Sequence, residues 1–272
     1  MPEEREPGSL ESSMDLLSMM GRRVVITGAS SGIGRAMACR FAEAGASLVL
    51  ADVNEEGLGE TCNMLQAGGS AVTAQKVDLT SKHEIDVFWD SIGEPAPDTL
   101  INNAGVYPLK DYLEIDEEFL NRALEINLKS VVWMSQNFIE KRIKAGGVIV
   151  NVSSIEALVP FKKDLVAYSV SKAGVVALTR ALARDYGKKG FRANVILPGA
   201  IRTPGTETLA RNAIKQMDLG MMKTGYDFQS RLAMGRWGRP DEVACVALFL
   251  ASRLSSYVLG AVVAVDGGFL SA

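Results

Sequence analysis

The sequence is poor in the residues from which most metal, nucleic-acid and membrane proteins are built. Of 272 residues, one is histidine, His83, and three are cysteine, Cys39, Cys62 and Cys245. The cysteines show neither paired nor metal-ligand spacing, and each falls in a stretch of helical periodicity, so they read as reduced core thiols of a cytoplasmic protein. His83 opens a helical stretch and reads as a solvated surface group. A single histidine, with no acids clustered at ligand spacing, predicts no catalytic metal. A formal net charge of -3 offers no basic footprint for nucleic acid. No apolar run approaches the roughly eighteen residues needed to cross a bilayer, and the N-terminus is acidic where a secretion signal is basic, so neither a membrane partner nor export is expected. Residues 1 to 20, opening with Pro2, Glu3, Glu4, Arg5, Glu6, Pro7 and Gly8, read as a mobile tail. One domain is expected over 21–272.

What the chain does have is an alternation of short apolar runs and helical periods. Strands are predicted at 22–27, 47–52, 71–77, 98–102, 147–152, 191–197 and 259–265. Helices are predicted at 33–44, 54–67, 81–92, 116–144, 164–186 and 239–252. Such alternation builds an α/β fold, a three-layer doubly wound parallel sheet of about seven strands with helices on both faces. Val148-Ile149-Val150 and Val262-Val263 are apolar on consecutive positions, as strands covered on both faces require. The segment 199–238 is too long for an ordinary connection and reads as a substrate lid containing short helices. Met217, Met221, Met222 and Met234 within it either line a pocket or pack the lid on the body.

Three groups of residues carry chemistry. Thr27-Gly28-Ala29-Ser30-Ser31-Gly32-Ile33-Gly34 sits between the first strand and its helix, where glycines let backbone approach a pyrophosphate seated on the helix amides. Asp52, with Val53 beside it, ends the second strand eighteen positions beyond Gly34; it serves either as the acid that bonds an adenosine ribose or as a plain helix cap. As a ribose acid it would repel a 2′-phosphate, and neither Ser31 nor Val53 supplies a compensating cation, which favours NAD over NADP. Tyr168 and Lys172, four apart on one helix face, form an acid/base pair in which a nearby ammonium favours the phenolate. That spacing alone arises readily by chance. Its weight comes from Asn102-Asn103-Ala104-Gly105, Ser153-Ser154 and Pro198-Gly199, which close three strands at the carboxyl edge where open parallel sheets bind ligands.

Together with Asp78-Leu79, Ile126-Asn127-Leu128, Thr203 and Asp266-Gly267-Gly268, these motifs resemble the short-chain dehydrogenase/reductase family, in its subfamily of about 250 residues, over residues 21 to 270. The resemblance implies hydride transfer between a nicotinamide and a secondary alcohol or ketone. It makes Tyr168 the general acid/base, Ser154 the group that orients the substrate oxygen, Lys172 the holder of the nicotinamide ribose, and Asn127 the anchor of a proton-relay water. It gives Gly28, Ser30, Ser31, Gly32, Ile33, Gly34, Asp52, Val53, Asp78, Leu79, Asn102, Ala104, Gly105, Pro198, Gly199, Ile201 and Thr203 to the cofactor, with Ile201 and Thr203 at the carboxamide. It also implies a homotetramer, for which the wide apolar surface of helix 164–186 offers a face. Simpler roles stand beside these: Asn127 bridging backbone, and Asp78 capping a strand end. Ser154 to Tyr168 is fourteen residues, one more than is usual in the family. The extra residue is assigned to 160–164, and a shifted strand end would put Ser153 in place of Ser154. A 3-oxoacyl thioester reductase shares the same motifs, and a cofactor-sensing protein without activity is the reading from outside the enzymes.

Overall fold

The computed structural model describes residues 11–215 and 219–271, without the side chains of 209, 210, 212–215 and 219–224. Seven parallel strands form one sheet: β1 (Arg23–Thr27), β2 (Ser47–Asp52), β3 (Val72–Lys76), β4 (Thr99–Asn102), β5 (Gly147–Val152), β6 (Phe191–Pro198) and β7 (Val262–Val265). Their order is β3-β2-β1-β4-β5-β6-β7. The direction of winding therefore reverses between β1 and β4, which opens a crevice at their carboxyl ends. The register pairs Ile26 with Leu50 on one side and with Ile101 on the other.

Successive residues of β1 serve opposite faces, because side chains alternate along a strand. Val24 and Ile26 join Met37 and Phe41 of α2 (Gly32–Glu43) and Val243 of α10 (Pro240–Ala251). Val25 joins Ile85, Phe88 and Trp89 of α4 (Lys82–Ser91) and Phe138 of α6 (Ser130–Arg142). All three β1 residues are fully buried, which is why the strand reads as an unbroken apolar run. A third cluster joins Val175 of α7 (Val166–Tyr186) to Val195, Leu197 and Phe269. The remaining helices are α1 (Ser13–Leu17), α3 (Glu55–Ala67), α5 (Glu117–Leu124), α8 (Pro204–Lys215) and α9 (Leu219–Ser230).

The structure corrects two expectations. The single helix expected over 116–144 is α5 and α6 joined by a π-helical turn, Glu125–Lys129. Asn127 lies in that turn, and its amide bonds the Val106 backbone in both directions. All three cysteines are free, but Cys245 is exposed, since α10 turns Val243, Ala244, Ala247 and Leu248 inward instead. His83 is exposed.

Residues 1–10 of the expected tail lie outside the described residues. The rest lies against the body: Ser12 caps α1, Met19 is buried and its amide donates to the Ala44 carbonyl at 2.8 Å, and Arg253 donates to the Asp15 carbonyl at 2.9 Å. Of the lid methionines, Met217 and the side chains of Met221 and Met222 lie outside the described residues, and Met234 is exposed. No described helix is long and apolar enough to cross a membrane.

Candidate active site

The turn after β1 is tight enough that only glycine fits at two of its positions. Gly28 has φ +68°, and a Cβ there would meet the Ala104 Cα at 2.8 Å. A Cβ on Gly34 would stand 2.0 Å from the Gly28 carbonyl oxygen. Asn103 locks this turn to β4 by donating to the Thr27 and Gly28 carbonyls at 3.0 and 3.2 Å. The Thr27 hydroxyl in turn accepts from the Asn103 and Ala104 amides. Ser31, which precedes α2, makes no side-chain cap, whereas Asn54, Ser81 and Asp116 cap α3, α4 and α5. The first amides of α2 thus face the crevice without a side-chain acceptor, the donor set an anionic pyrophosphate requires. Thr203, in the segment 199–238, lies 3.3 Å from where a Gly32 Cβ would sit.

Asp52 ends β2 half-buried, and its carboxylate accepts from the Ser30 and Asn54 amides at 2.9 Å each. It therefore fixes the turn as well as placing negative charge at the crevice; Val53 beside it is exposed. The sequence reading overlooked Arg35. Its guanidinium donates to the Ser30 and Gly57 carbonyls, to Thr61 and to Glu60, which puts a cation at the same corner. Helical periodicity makes Arg35 an ordinary surface residue, and its i+1 place after Gly34 was the available signal.

On the other side of the crevice, two predicted residues meet at Gly105, and Tyr168 and Ser154 join them through Lys172. A Cβ on Gly105 would lie 3.0 Å from Asn127 Oδ1 and 3.2 Å from Lys172 Nζ. Lys172, 4% exposed, donates to the Val152 carbonyl at 3.0 Å, and its Nζ is 5.9 Å from the Tyr168 ring centre. Burial draws its pKa down to about 8. The Ser153 hydroxyl is used up on the Lys172 carbonyl at 2.7 Å, while Ser154 hydrogen-bonds Tyr168. Of the two serines, Ser154 faces the tyrosine. The loop assigned the extra residue contains Asp164, whose φ of +65° is unique among the described non-glycine residues. Tyr168 departs from expectation: burial pushes its pKa up to about 12, the Ser154 bond pulls down, and the charge of Glu156 pushes up.

The other predicted residues are more dispersed. Asp78 bonds the amide and hydroxyl of Thr80, and Leu79 is buried in the core beside Ile85. Asn102 turns inward and donates to Asn151 at 2.9 Å, and Asn151 continues to Thr179, so it ties β4 to β5 and α7. Pro198 ends β6, Gly199 packs on Asp266, and Ile201 is buried and bridges to Gly238. Around the substrate side, Tyr107 meets Tyr168 edge-on at 4.8 Å. Phe228 of α9 stacks on Phe269 at 4.5 Å and meets Phe161 at 5.2 Å, with Arg231 lying 4.4 Å over Phe269. A cavity of about 630 Å³ opens at the opposite sheet edge beside Arg192. Arg192 there is spent on the Leu250, Ala251 and Ser252 carbonyls. No described group of three or more His, Cys, Asp or Glu is placed to hold a metal ion.

Comparison with known proteins agrees with this geometry along almost the whole chain. Residues 28–270 match the family model described as enoyl-(acyl carrier protein) reductase. The Thermotoga maritima 3-oxoacyl-[acyl-carrier-protein] reductase is 34% identical over 93% of this chain and 100% of its own. The dehydrogenase/reductase SDR family member 6 of Rattus norvegicus is 32% identical over 92% and 97%. A solved Agrobacterium tumefaciens structure with bound NADP superposes with TM-score 0.85 at 31% identity, covering 95% of this chain and 100% of that one. A 7α-hydroxysteroid dehydrogenase, complexed with NADH and 7-oxo glycochenodeoxycholic acid, gives 0.86 at 32%, over 95% and 98%. With the glycine turn at the β1–β4 crevice and a full-length match in both sequence and structure, the chain belongs to the short-chain dehydrogenase/reductase family.

Proposed function

We propose that the protein is an NAD-linked oxidoreductase that interconverts a secondary alcohol and a ketone, with Tyr168 as general acid/base. The observation behind this reading is the chain of contacts that runs from Ser154 to Tyr168, from Tyr168 to Lys172, and from Lys172 to Asn127 at Gly105. The nicotinamide, when bound, supplies the hydride acceptor or donor. Gly28, Ser30, Ser31, Gly32, Ile33 and Gly34 hold its pyrophosphate, Asp52 and Val53 its adenosine ribose, and Asp78, Leu79, Asn102, Ala104 and Gly105 its adenosine side. Ile201 and Thr203 seat the carboxamide, and Pro198 and Gly199 also line the cofactor. Ser154 holds the substrate oxygen, Tyr168 gives or takes its proton, and Lys172 holds the nicotinamide ribose. A lysine brought to about 8 also exchanges protons near neutral pH, and Asn127, placed with it beside Gly105, anchors a proton-relay water. Tyr168→Phe should lower kcat by about a thousandfold while leaving cofactor affinity within about twofold. Retained turnover would refute the assignment.

The NAD preference rests on the charge of Asp52. The NADP-bound relative and the cation of Arg35 weigh on the other side, so the ratio of kcat/KM with NADH and NADPH decides it. The second reading, a 3-oxoacyl thioester reductase, is favoured by the Thermotoga relative; activity on an acetoacetyl thioester tests it. Val166 and Val170 leave apolar surface exposed on α7, which supports a homotetramer, and sedimentation as a monomer would exclude it. Free cysteines and the absence of a described membrane helix fit a cytoplasmic enzyme.

A further inference from the structure

The 3-10 turn after Ser154, Ile155–Ala157, buries a carboxylate that the reaction above does not use. Glu156 is 5% exposed. Its oxygens accept from the Phe161 amide at 3.1 Å and the Lys162 amide at 3.3 Å, and the Ser169 side chain adds a third bond. A buried carboxylate is costly unless such donors compensate it. Lys162 is the cation whose charge acts on it, and the other titratable groups of this corner come from the neighbouring elements. Lys162, on its own loop, sits 5.4 Å over the Tyr107 ring. Tyr107 comes from the segment after β4, and Tyr168 and Lys172 from α7. Arg231, beyond α9, lies 5.5 Å over Phe161. Burial above all holds both tyrosines toward their protonated forms, and the Glu156 charge adds to it in the same direction.

We propose that Glu156 is a positioning residue that acts through Tyr168: its carboxylate, pinned by the loop amides beside the tyrosine pair, opposes loss of the phenolic proton and biases the site toward carbonyl reduction. In that direction the carbonyl carbon gains a hydride from the reduced nicotinamide and the oxygen gains the Tyr168 proton. The tyrosinate then recovers a proton from solvent. This rests on Tyr168 being the acid/base.

The test is an ultraviolet tyrosinate titration of the full chain, with Tyr168 isolated as the difference between each protein and the same protein carrying Tyr168→Phe. In the wild type, Tyr168 should titrate well above the ordinary value of about 10. Glu156→Gln should bring it down by about one pH unit, and Glu156→Asp, which keeps the charge, should leave it near wild type. An ordinary wild-type titration overturns the proposal even if Glu156→Gln fails to fold. So does an unmoved Glu156→Gln, or an equal shift in Glu156→Asp, which would mark a merely structural role. Turnover retained by Tyr168→Phe sinks the acid/base reading instead, so the two failures are distinct.

Discussion

Replacing Lys172 by methionine should stabilise this protein at neutral pH while abolishing its activity. Lys172 is 4% exposed, and burial lowers its pKa from 10.5 to about 8. Below about pH 8 the lysine is charged in both folded and unfolded chains, so the cost of burying the charge is fully present. Between about 8 and 10.5 the folded chain has lost the proton while the unfolded chain keeps it, and stability rises with pH; above 10.5 the cost is gone. At 1.36 kcal/mol per pH unit the cost is about 3 kcal/mol. Methionine fills the space of the lysine stem but leaves the Val152 carbonyl without its 3.0 Å donor, a loss of about 1 kcal/mol. The net gain of about 2 kcal/mol would move a urea midpoint upward by roughly 0.5–1 M. Urea unfolding of both proteins, followed by tryptophan fluorescence at neutral pH and again near pH ~10, measures it. A variant less stable than wild type at neutral pH, or a difference that ignores pH, would show that Lys172 is not held against a desolvation cost.

Gly34→Ala should remove cofactor binding and lower stability by about 3 kcal/mol, because its Cβ meets the Gly28 oxygen at 2.0 Å and Asn103 Nδ2 at 2.6 Å; nicotinamide fluorescence and thermal melting check both. Phe228→Ala removes the stack on Phe269 and the edge contact to Phe161 that join the lid to the body. It should raise KM by about tenfold, with a smaller change in kcat. Equal falls in kcat and kcat/KM would instead place Phe228 in the transition state.

The sheet was legible because burial on both faces writes itself into the sequence: Val24, Val25 and Ile26 leave no polar position to misread. The glycine turn was legible from backbone spacing, and the Tyr168–Lys172 pair only because other motifs close strands at the same sheet edge. Less could be read where direction matters. Asn102 and Asn103 are adjacent and identical in type, yet one ties strands together inside the fold and the other locks the turn. Glu156 stands two residues beyond Ser154, but glutamate is seldom buried, and the two amides that hold it belong to a loop whose path no periodicity encodes. The rise of Tyr168 was hidden for the same reason, since a neighbour four residues away is visible in sequence and desolvation is not.

The π turn at Glu125–Lys129 changes the phase of what would otherwise be one long helix. An extra residue in a turn rotates everything after it by about 100° relative to everything before. The outward face of α5 therefore does not continue into α6: α5 lies along α7, whereas α6 packs against α4 and beneath the sheet. One continuous backbone thus presents two independently oriented surfaces, and substitutions on the α5 side can alter what it meets without retuning the face that α6 gives to the core.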